Sequence, residues 1–363
     1  MASGSVAVVG AGALGGWTAL WMRRGGADVI LLDAAEPGHA RSSSGGETRL
    51  LRCGYGTAVE FSALAWQAAR LWAQEEPALG GDIWRRNGVL WLFRSRADGY
   101  AAATEQALTR LQVPFCRLDA AEVQRRWPVF RAQPLECALL EPEAGFLQAR
   151  RACRGVQERF LREGGQWRLA TARPGRGLGG RLLELELSPA EHLGADAFVF
   201  ACGPWLPKLF PGVPQAAVRV TRQEVHTFAV PPDRPEWTAD RMPCWIDYNS
   251  GIWYGVPAGE SRGFKIGDHR PGPAFDPDHG DRTPSAAGLA AARAFLRQSF
   301  PALRDAALVG AEVCQYELAP QDRPFCLRHP EWSNVWLVGG GSGHGFKLGP
   351  ALGAAAAAQV LAG

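Results

Sequence analysis

The stretch that most constrains the fold is residues 6–33, VAVVGAGALGGWTALWMRRGGADVILLD. Residues 6–9 form an apolar run with the length of a buried parallel strand, and a second run, residues 29–32, ends at Asp33. Between the two runs lie a G-x-G-x-x-G motif and a segment with helical apolar spacing. A strand, a glycine turn, a helix, a strand and a terminal acid in this order predict a βαβ unit of the Rossmann type, which binds a dinucleotide.

Each residue of this motif has a physical role. Gly10 allows the tight turn, Gly12 lets the backbone approach a pyrophosphate, and Gly15 lets the helix lie close to the strand. The N-terminus of the helix attracts the phosphate charge. Asp33 can accept hydrogen bonds from ribose hydroxyls, so an acid at this position argues only against a 2′-phosphate. The pattern does not distinguish NAD from FAD.

Length and charge narrow the class of protein. A chain of 363 residues predicts two domains, and a net charge of +3 with interspersed acids and bases predicts no nucleic-acid partner. No apolar run reaches the length of a membrane span. The first strand begins near Val6, which leaves no room for a signal peptide, so we expect a cytoplasmic protein. The eight cysteines lack C-x-x-C or zinc spacing, so we expect reduced thiols and no metal site.

A polar loop and two arginines follow the βαβ unit. The loop, residues 34–47, has Ser42 and Ser43 at its centre and is either a linker or a segment that wraps the cofactor. Its position directly after the nucleotide-binding unit favours the second interpretation. Arg49 and Arg52 lie three positions apart, which predicts a short helix or turn with both guanidinium groups on one side. A solvated basic face is the alternative.

The rest of the chain alternates between helical and strand patterns. Helical spacing is found over residues 61–72, 101–111, 121–127, 149–163 and 286–300, and strand patterns over 88–93, 139–148, 167–187 and 197–201. From residue 218 to 257 polar and apolar residues alternate with many aromatics, which predicts antiparallel strands. This part therefore reads as a sheet-rich domain inserted between segments of the nucleotide-binding fold.

A second glycine-rich turn lies near the C-terminus. Residues 335–338 predict a buried strand, and residues 339–345 form a glycine run that leads into a helix, so its free N–H groups can cradle a polar ligand. Lys347 lies on the first turn of that helix, where a cation is slightly unfavourable. A negatively charged partner would explain it.

Together these motifs resemble the sarcosine oxidase-like branch of the D-amino-acid oxidase superfamily, flavoproteins that oxidise amines and amino acids. The resemblance covers essentially the whole chain and rests on GAGALGG…LLD, GGETRLLRCGYG, RRWPVF, EPEAGFL, FKIGDH, CQYELAPQDRPFCLRHP and GGGSGHGFK. It implies an α/β fold, α+β overall, with a Rossmann-type FAD-binding domain and a second antiparallel-sheet substrate domain. The expected FAD-binding domain comprises residues 1–78, 142–214 and 318–363, and the expected substrate domain residues 79–141 and 215–317.

The resemblance implies how FAD is held. Cys314 matches the cysteine that attaches FAD covalently through a thioether to the 8α-methyl group. Lys265 matches the lysine near flavin N5 on which oxygen activation depends, and Arg49 matches a second cation close to the flavin ring. Further cofactor contacts are expected from Ser42, Ser43, Gly343, His344, Gly345 and Lys347, besides the first glycine motif and Asp33.

The resemblance also implies how the substrate is held. Arg52 and Lys347 match the pair that binds the substrate carboxylate, and a guanidinium group suits this task because its planar fork fits a carboxylate. Tyr254 and His269 match residues of the substrate pocket and count among the expected catalytic residues with Lys265 and Arg49. Without the resemblance, a lone histidine such as His269 would be read as structural.

The implied reaction moves a hydride equivalent from the carbon that bears a neutral amine to the flavin. The resulting imine is hydrolysed unless it is cyclic, and O2 takes up the electrons to give hydrogen peroxide. Three alternatives stay open from the sequence: a flavin dehydrogenase or desaturase with another acceptor, an NAD-dependent dehydrogenase, and a non-catalytic binding protein. We expect a monomer that acts on a small amino acid or imino acid.

Several positions depart from the family pattern and bear on the substrate. Gly45 stands where the sarcosine enzymes usually have histidine, and Asp268 replaces a more usual aromatic residue or histidine. Trp245 and Trp253 are expected to add aromatic bulk to the pocket, with Trp245 as a substrate contact, and Asp247 to add an acid. The expected substrate class is sarcosine or another N-methyl amino acid, or a proline- or piperidine-type carboxylate. A site altered in this way need not favour sarcosine, and a cyclic imino acid or an aromatic amino acid of a biosynthetic pathway is the alternative.

Overall fold

The computed structural model describes residues 4–94, 99–131, 134–213, 218–249, 251–259 and 263–363. The described strands are β1 (Ser5–Val9), β2 (Asp28–Asp33), β3 (Thr48–Leu51), β4 (Trp84–Arg85), β5 (Val89–Phe93), β6 (Cys116–Leu118), β7 (Cys137–Glu141), β8 (Gly145–Gln148), β9 (Gln166–Leu169), β10 (Ala172–Pro174), β11 (Gly177–Leu178), β12 (Arg181–Leu182), β13 (Glu184–Leu187), β14 (Glu191–Gly194), β15 (Ala197–Phe200), β16 (Arg219–Phe228), β17 (Cys244–Tyr248), β18 (Ile252–Val256), β19 (Phe264–Asp268), β20 (Leu308–Leu318), β21 (Phe325–Arg328) and β22 (Val335–Gly339). The described α-helices are α1 (Ala13–Arg24), α2 (Val59–Glu75), α3 (Tyr100–Arg110), α4 (Ala120–Arg126), α5 (Ala149–Arg162), α6 (Leu206–Leu209), α7 (Ala286–Ser299) and α8 (Gly345–Leu361). Among these helices, none is long and apolar enough to cross a membrane.

The first large sheet is built around the βαβ unit. Its strand order is β21-β22-β15-β1-β2-β9, and all neighbours are parallel except β21, which runs antiparallel to β22. Strand β1 is buried on both faces, as its continuous apolar run predicts. Helix α1 begins directly after Gly12 and packs on the sheet through a core that includes Trp17 and Leu20. The predicted Rossmann-type fold is confirmed.

The second large sheet has eight strands in the order β20-β16-β19-β18-β17-β5-β7-β6. Its pairs are antiparallel except for the parallel pair of β5 and β17. In that one parallel pair, β5 comes from an earlier part of the chain and lies beside the antiparallel meander β17-β18-β19. The prediction of a second, mainly antiparallel sheet is therefore confirmed.

The two sheets draw on different segments of the chain. The six-stranded sheet uses residues from 5–33, 166–200 and 325–339, and the eight-stranded sheet uses 89–141 and 219–318. A small sheet, β3-β8-β4, is built from residues 48–51, 145–148 and 84–85, which belong to neither set of segments. The expected boundary between residues 214 and 215 falls at residues outside the described part of the chain. The division into two domains thus stays a prediction.

Local capping signals explain several helix limits. Asp119 caps α4 by accepting the N–H of Glu122 at 2.8 Å, and Glu122 returns a bond to the N–H of Asp119, a capping box. Ser285 caps α7 in the same way through the N–H of Gly288. Pro128 follows α4, where a helix cannot continue easily.

Candidate active site

A single long cavity connects the two large sheets. Its volume is about 1110 Å³, and it extends from the glycine turn after β1 to aromatic side chains beside β5. The chain has three lysines, Lys208, Lys265 and Lys347, and all three line this cavity. In a protein whose other cations are arginines, this placement is unusual, because lysine is normally a surface residue.

The glycine turn forms one end of the cavity and leaves no space for side chains. Gly10 has a φ of +104°, and a Cβ there would lie 2.4 Å from the carbonyl oxygen of Ala201. A Cβ on Gly15 would lie 1.8 Å from the carbonyl oxygen of Gly10, which explains the third glycine of the motif. Gly10 and Gly12 line the cavity, whereas Gly15 lies behind the turn. Backbone approach from a ligand is therefore possible where the motif predicts it.

The acid at the end of β2 lies beside the same turn. Asp33 accepts the N–H of Ala11 at 2.7 Å and the N–H of Ala35 at 3.2 Å, and it lines the cavity. Burial raises the pKa of its carboxyl group. Helix α1 has no side-chain hydrogen bond at its Gly12 N-cap. The N–H of Ala13, the first helical residue, donates to Ser44 Oγ at 2.9 Å. The helix N-terminus, the cradle without Cβ atoms and the acid fit the phosphate and ribose of a dinucleotide.

The polar loop of residues 34–47 borders the cavity but uses some of its hydroxyls internally. Ser42 donates to the carbonyl of His39 at 2.9 Å, and Ser43 donates to the carbonyl of Gln315 at 3.0 Å. Gly45 lies in a turn where a Cβ would meet the carbonyl oxygen of His39 at 2.3 Å. A side chain at position 45 would therefore require this turn to shift.

Arg49 and Lys265 meet at the centre of the cavity. Arg49 lies on β3, so the prediction of a helix or turn at this arginine was wrong: the segment instead pairs with β8. Its guanidinium group donates to the carbonyls of Thr48, at 2.8 Å, Ser43, at 2.7 Å, and Gly45. The Lys265 Nζ atom donates to the carbonyl and hydroxyl oxygens of Thr48, both at 3.1 Å. Burial, and then the nearby Arg49 charge, lower the pKa of Lys265 to about 8.

Cys314 lies on β20 and lines the cavity next to these two cations. Burial raises the pKa of its thiol, while Arg49 and Lys265 act in the opposite direction. None of the described cysteines forms a disulfide, so its sulfur is a free thiol. A thiol among cations is more easily converted to the reactive thiolate than one in a purely apolar site.

Arg52 and Lys347 form a second pair of cations. The Arg52 guanidinium carbon lies 4.0 Å from the ring centre of Tyr55 and 4.9 Å from that of Trp91. The Lys347 Nζ atom lies 5.5 Å from the same Tyr55 ring and 3.4 Å from the carbonyl oxygen of His344. Lys347 is 6 % exposed, and burial and the Arg52 charge lower its pKa. Within the described ranges neither cation has a salt bridge to a carboxylate, so these two residues, the anion-binding pair, could hold an anionic ligand.

Tyr254 and His269 also line the cavity, and a third residue joins them. The hydroxyl of Tyr316 lies 3.2 Å from Nδ1 of His269 and also hydrogen-bonds the hydroxyl of Tyr254. Burial, Arg52 and Lys347 lower the pKa of His269 to about 4, so its imidazole is neutral at physiological pH. Sequence reasoning missed Tyr316, although a tyrosine two positions after Cys314 on one strand must face the same side of the sheet.

The glycine run after β22 borders this region. Gly343, His344 and Gly345 line the cavity, and α8 begins at Gly345. The His344 ring lies 5.6 Å from the ring centres of Tyr55 and Phe61, and burial lowers its pKa, so it is neutral. The glycine run therefore forms the part of the cavity wall next to Lys347.

Two tryptophans lie away from the cavity, contrary to expectation. Trp245 is 0 % exposed and packs 4.9 Å from Phe300, ring centre to ring centre, in the core behind the eight-stranded sheet. Trp253 stacks on Phe295 behind the same sheet, at 4.6 Å. The cause is strand alternation: Tyr254 faces the cavity, so its neighbour Trp253 faces the other side. Trp245 pairs with Gly255 and shares that other side, so it is not a substrate contact.

The two acids named among the departures from the family pattern, Asp247 and Asp268, also lie outside the cavity and pair with arginines. Asp247 is buried and forms a 2.8 Å salt bridge with Arg94 behind the sheet. Asp268 accepts from Nε of Arg270 at 2.9 Å at the protein surface. Neither carboxylate is among the residues that line the cavity.

Comparisons with known proteins show which family this chain matches. The model of the DAO family, FAD dependent oxidoreductase, matches residues 5–359. Monomeric sarcosine oxidase of Bacillus sp. (strain B-0618) is 28% identical over 364 residues, which cover 99% of this chain and 92% of that protein. N-methyl-L-tryptophan oxidase of Yersinia pestis (strain Pestoides F) is 26% identical and covers 96% and 93%. The solved structure of L-proline dehydrogenase from P. horikoshii superimposes with a TM-score of 0.85 at 16% identity, over 99% of this chain and 93% of that one.

Proposed function

Because the chain belongs to the DAO family of FAD-dependent oxidoreductases, we propose that its cavity oxidises the C–N bond of a secondary or cyclic amino acid with O2 as the electron acceptor. The observation that carries this proposal is the pair Arg52 and Lys347, two cations on one tyrosine ring without a carboxylate partner in the described chain. A substrate carboxylate would satisfy both charges. Each charge-assisted hydrogen bond of this kind contributes about 1.5–3 kcal/mol.

The dinucleotide end of the same cavity supplies the place for FAD. The glycine turn and Asp33 would hold its pyrophosphate and ribose, and Arg49 and Lys265 would lie beside its ring. Bound FAD supplies the two-electron acceptor that no amino-acid side chain offers. The printed names of the relatives, a sarcosine oxidase and an N-methyltryptophan oxidase, support a substrate with an N-substituted amine.

The residues of the site favour a neutral amine. A substrate bound through its carboxylate places its amine near Arg52, Lys347 and Lys265, and three cations lower the pKa of a neighbouring ammonium group. Loss of that proton frees the nitrogen lone pair. Removal of two electrons and two protons from the H–C–N–H unit then gives an imine, which water hydrolyses unless it is cyclic.

Lys265 supports O2 as the acceptor. Its buried ammonium group is held in place by Thr48, so it can stabilise negative charge on O2 as electrons arrive without reorganisation of the site. Two electrons and two protons convert O2 to hydrogen peroxide. This fixed cation is the reason to prefer an oxidase to a dehydrogenase with another acceptor.

Covalent attachment of FAD through Cys314 forms part of the proposal. The free thiol lines the cavity. Burial raises its pKa, and the adjacent cations Arg49 and Lys265 oppose this rise, which favours the thiolate nucleophile that such a bond requires. We also propose a monomeric state, which the similarity to a monomeric enzyme supports, and a cytoplasmic location, which the free state of the described cysteines supports.

A substrate screen tests the proposal. The oxidised protein is mixed anaerobically with secondary and cyclic amino acids while absorbance near 450 nm is followed, and peroxide is then measured in air. We expect bleaching and peroxide with at least one of them, and Arg52→Ala should raise its KM by about 10- to 100-fold through the lost carboxylate bonds. The exposed Arg304→Ala is the control. An unchanged KM in Arg52→Ala would mean that the substrate is a simple amine.

A further inference from the structure

A buried carboxylate lies behind the anion-binding pair. Glu141 ends β7 and is 2 % exposed, yet none of its described contacts is a salt bridge. Instead it accepts three hydrogen bonds: from the N–H of Cys53 at 2.6 Å, from the N–H of Gly54 at 3.1 Å, and from the indole Nε1–H of Trp91 at 2.9 Å. A buried charge without a salt bridge is costly, and these donors offset part of that cost.

All three donors belong to groups that determine where Arg52 lies. Cys53 and Gly54 are the two residues after Arg52, and the Arg52 guanidinium group donates to the carbonyl of Gly54. The Trp91 ring lies 4.9 Å from the guanidinium carbon and forms one of the two aromatic faces around it. Glu141 thus holds the turn and the ring that fix the Arg52 guanidinium group, although Glu141 does not touch the cavity.

We propose that Glu141 is a positioning residue for carboxylate recognition: it fixes Arg52 through its hydrogen bonds with Cys53, Gly54 and Trp91. This inference rests on the proposed function, because it assigns Arg52 and Lys347 to a carboxylate ligand. The charge of Glu141 opposes the lowering of the Lys347 pKa and so favours a charged lysine in a buried place.

The donor set requires a carboxylate at this position. Three N–H groups converge on the two oxygens of Glu141, and a glutamine would present one oxygen and one NH2 group. The NH2 group would then face an N–H donor. Glu141→Gln therefore keeps the shape, removes the charge and breaks at least one hydrogen bond.

The experiment measures ligand binding to the flavin-containing protein. The probes are thiophene-2-carboxylate and the neutral thiophene-2-carboxamide, titrated while the flavin spectrum is followed, and FAD content is measured for each variant. Glu141→Gln is compared with Glu143→Gln, an exposed glutamate two positions further along the chain. Trp91→Phe removes one donor to Glu141 and keeps an aromatic ring beneath Arg52.

We expect Glu141→Gln to raise the Kd of the carboxylate about tenfold or more, and that of the carboxamide less than about threefold. With a carboxylate substrate, KM should rise by more than kcat falls. Glu143→Gln should match the wild type. If Glu141→Gln does not fold, Trp91→Phe decides, and it should weaken carboxylate binding selectively.

Two results would overturn this inference and leave the proposed function intact. The first is a carboxylate Kd in Glu141→Gln equal to that of the wild type; if only Trp91→Phe folds, the same result in that variant counts. The second is an equal loss of affinity for the carboxylate and for the carboxamide. The second result would mean that Glu141 only stabilises the fold. A wild-type protein that binds the carboxylate no better than the carboxamide would overturn the proposed function, and this inference with it.

Discussion

Replacement of Lys265 by methionine tests the role of the buried cation in oxygen reduction. Methionine fills a similar volume without a charge, so the two hydrogen bonds to Thr48 and the positive charge are lost together. Removal of one preorganised group that stabilises developing charge typically costs about 100- to 1000-fold in rate. We expect this loss in the reaction of the reduced protein with O2, and little change in the reduction of the protein by substrate.

The pH dependence of the same reaction follows from the pKa. With a pKa of about 8, the charged form of Lys265 outnumbers the neutral form by roughly ten to one at pH 7, and the ratio is reversed at pH 9. The oxygen rate of the wild type should therefore fall as pH rises above 8, because a negative charge on the reduced cofactor would move the midpoint upward from this value. The Lys265→Met variant, which cannot titrate here, should show no such fall.

The assay is stopped-flow mixing of the reduced protein with O2, with the return of absorbance near 450 nm as the signal. Lys265→Arg keeps the charge and should retain more of the rate than Lys265→Met does. An oxygen rate in Lys265→Met within about threefold of the wild type would refute the reasoning. A wild-type rate that increases between pH 7 and 9 would refute it as well.

Three further predictions concern the turn, the core and the histidine. Gly15→Ala places a Cβ 1.8 Å from the Gly10 carbonyl oxygen and should abolish FAD binding, whereas the Cβ of Gly212→Ala meets nothing within 4 Å and this control should bind FAD normally. Equal FAD content in the two purified variants would contradict the role of the turn. Trp245→Phe should lower the free energy of unfolding in urea by about 1–3 kcal/mol with KM unchanged, and a tenfold change of KM at unaltered stability would return this residue to the substrate pocket. The pH profile of kcat/KM should show no ionisation of His269 near 6.5, because its pKa of about 4 leaves it neutral above that pH; an inflection near 6.5 that disappears in His269→Gln would contradict this.

The parts of the fold that could be predicted from the sequence are those where only one residue type fits the local backbone. The G-x-G-x-x-G motif specified strand, turn and helix because no other residue fits at Gly10 and Gly15. The buried strand β1 and helix α5 were likewise predicted from periodicity, and both agree with the structure to within a residue or two.

The wrong predictions for the two tryptophans arose because neighbouring residues of a strand face opposite sides of the sheet. Expecting both Trp253 and Tyr254 in the pocket contradicts the alternation of side chains along a strand, and only Tyr254 lines the cavity. The same alternation places Tyr316 beside Cys314 and would have revealed it. The register of β17 against β18, which sends Trp245 into the core, depends on tertiary pairing that residue spacing does not specify.

The supporting contacts of Arg52 could not be predicted from spacing. Glu141 lies far along the chain from Cys53, and only the packing of β7 beside β5 and the turn after β3 brings them within hydrogen-bonding distance. By contrast, the rarity of lysine was visible in the sequence. A chain with three lysines among 39 basic residues uses arginine at its surface, so each lysine deserved to be considered as a functional group.

The most direct test of the central claim, that FAD lies along this cavity with its ring beside Cys314, is the absorption spectrum of acid-precipitated and washed protein. The account predicts flavin absorbance near 450 nm in the redissolved pellet of the wild type, and its loss to the supernatant in Cys314→Ser. Wild-type flavin found in the supernatant would contradict the covalent link and leave Cys314 a structural thiol. The absence of flavin from both fractions of protein produced with ample riboflavin would contradict the claim as a whole.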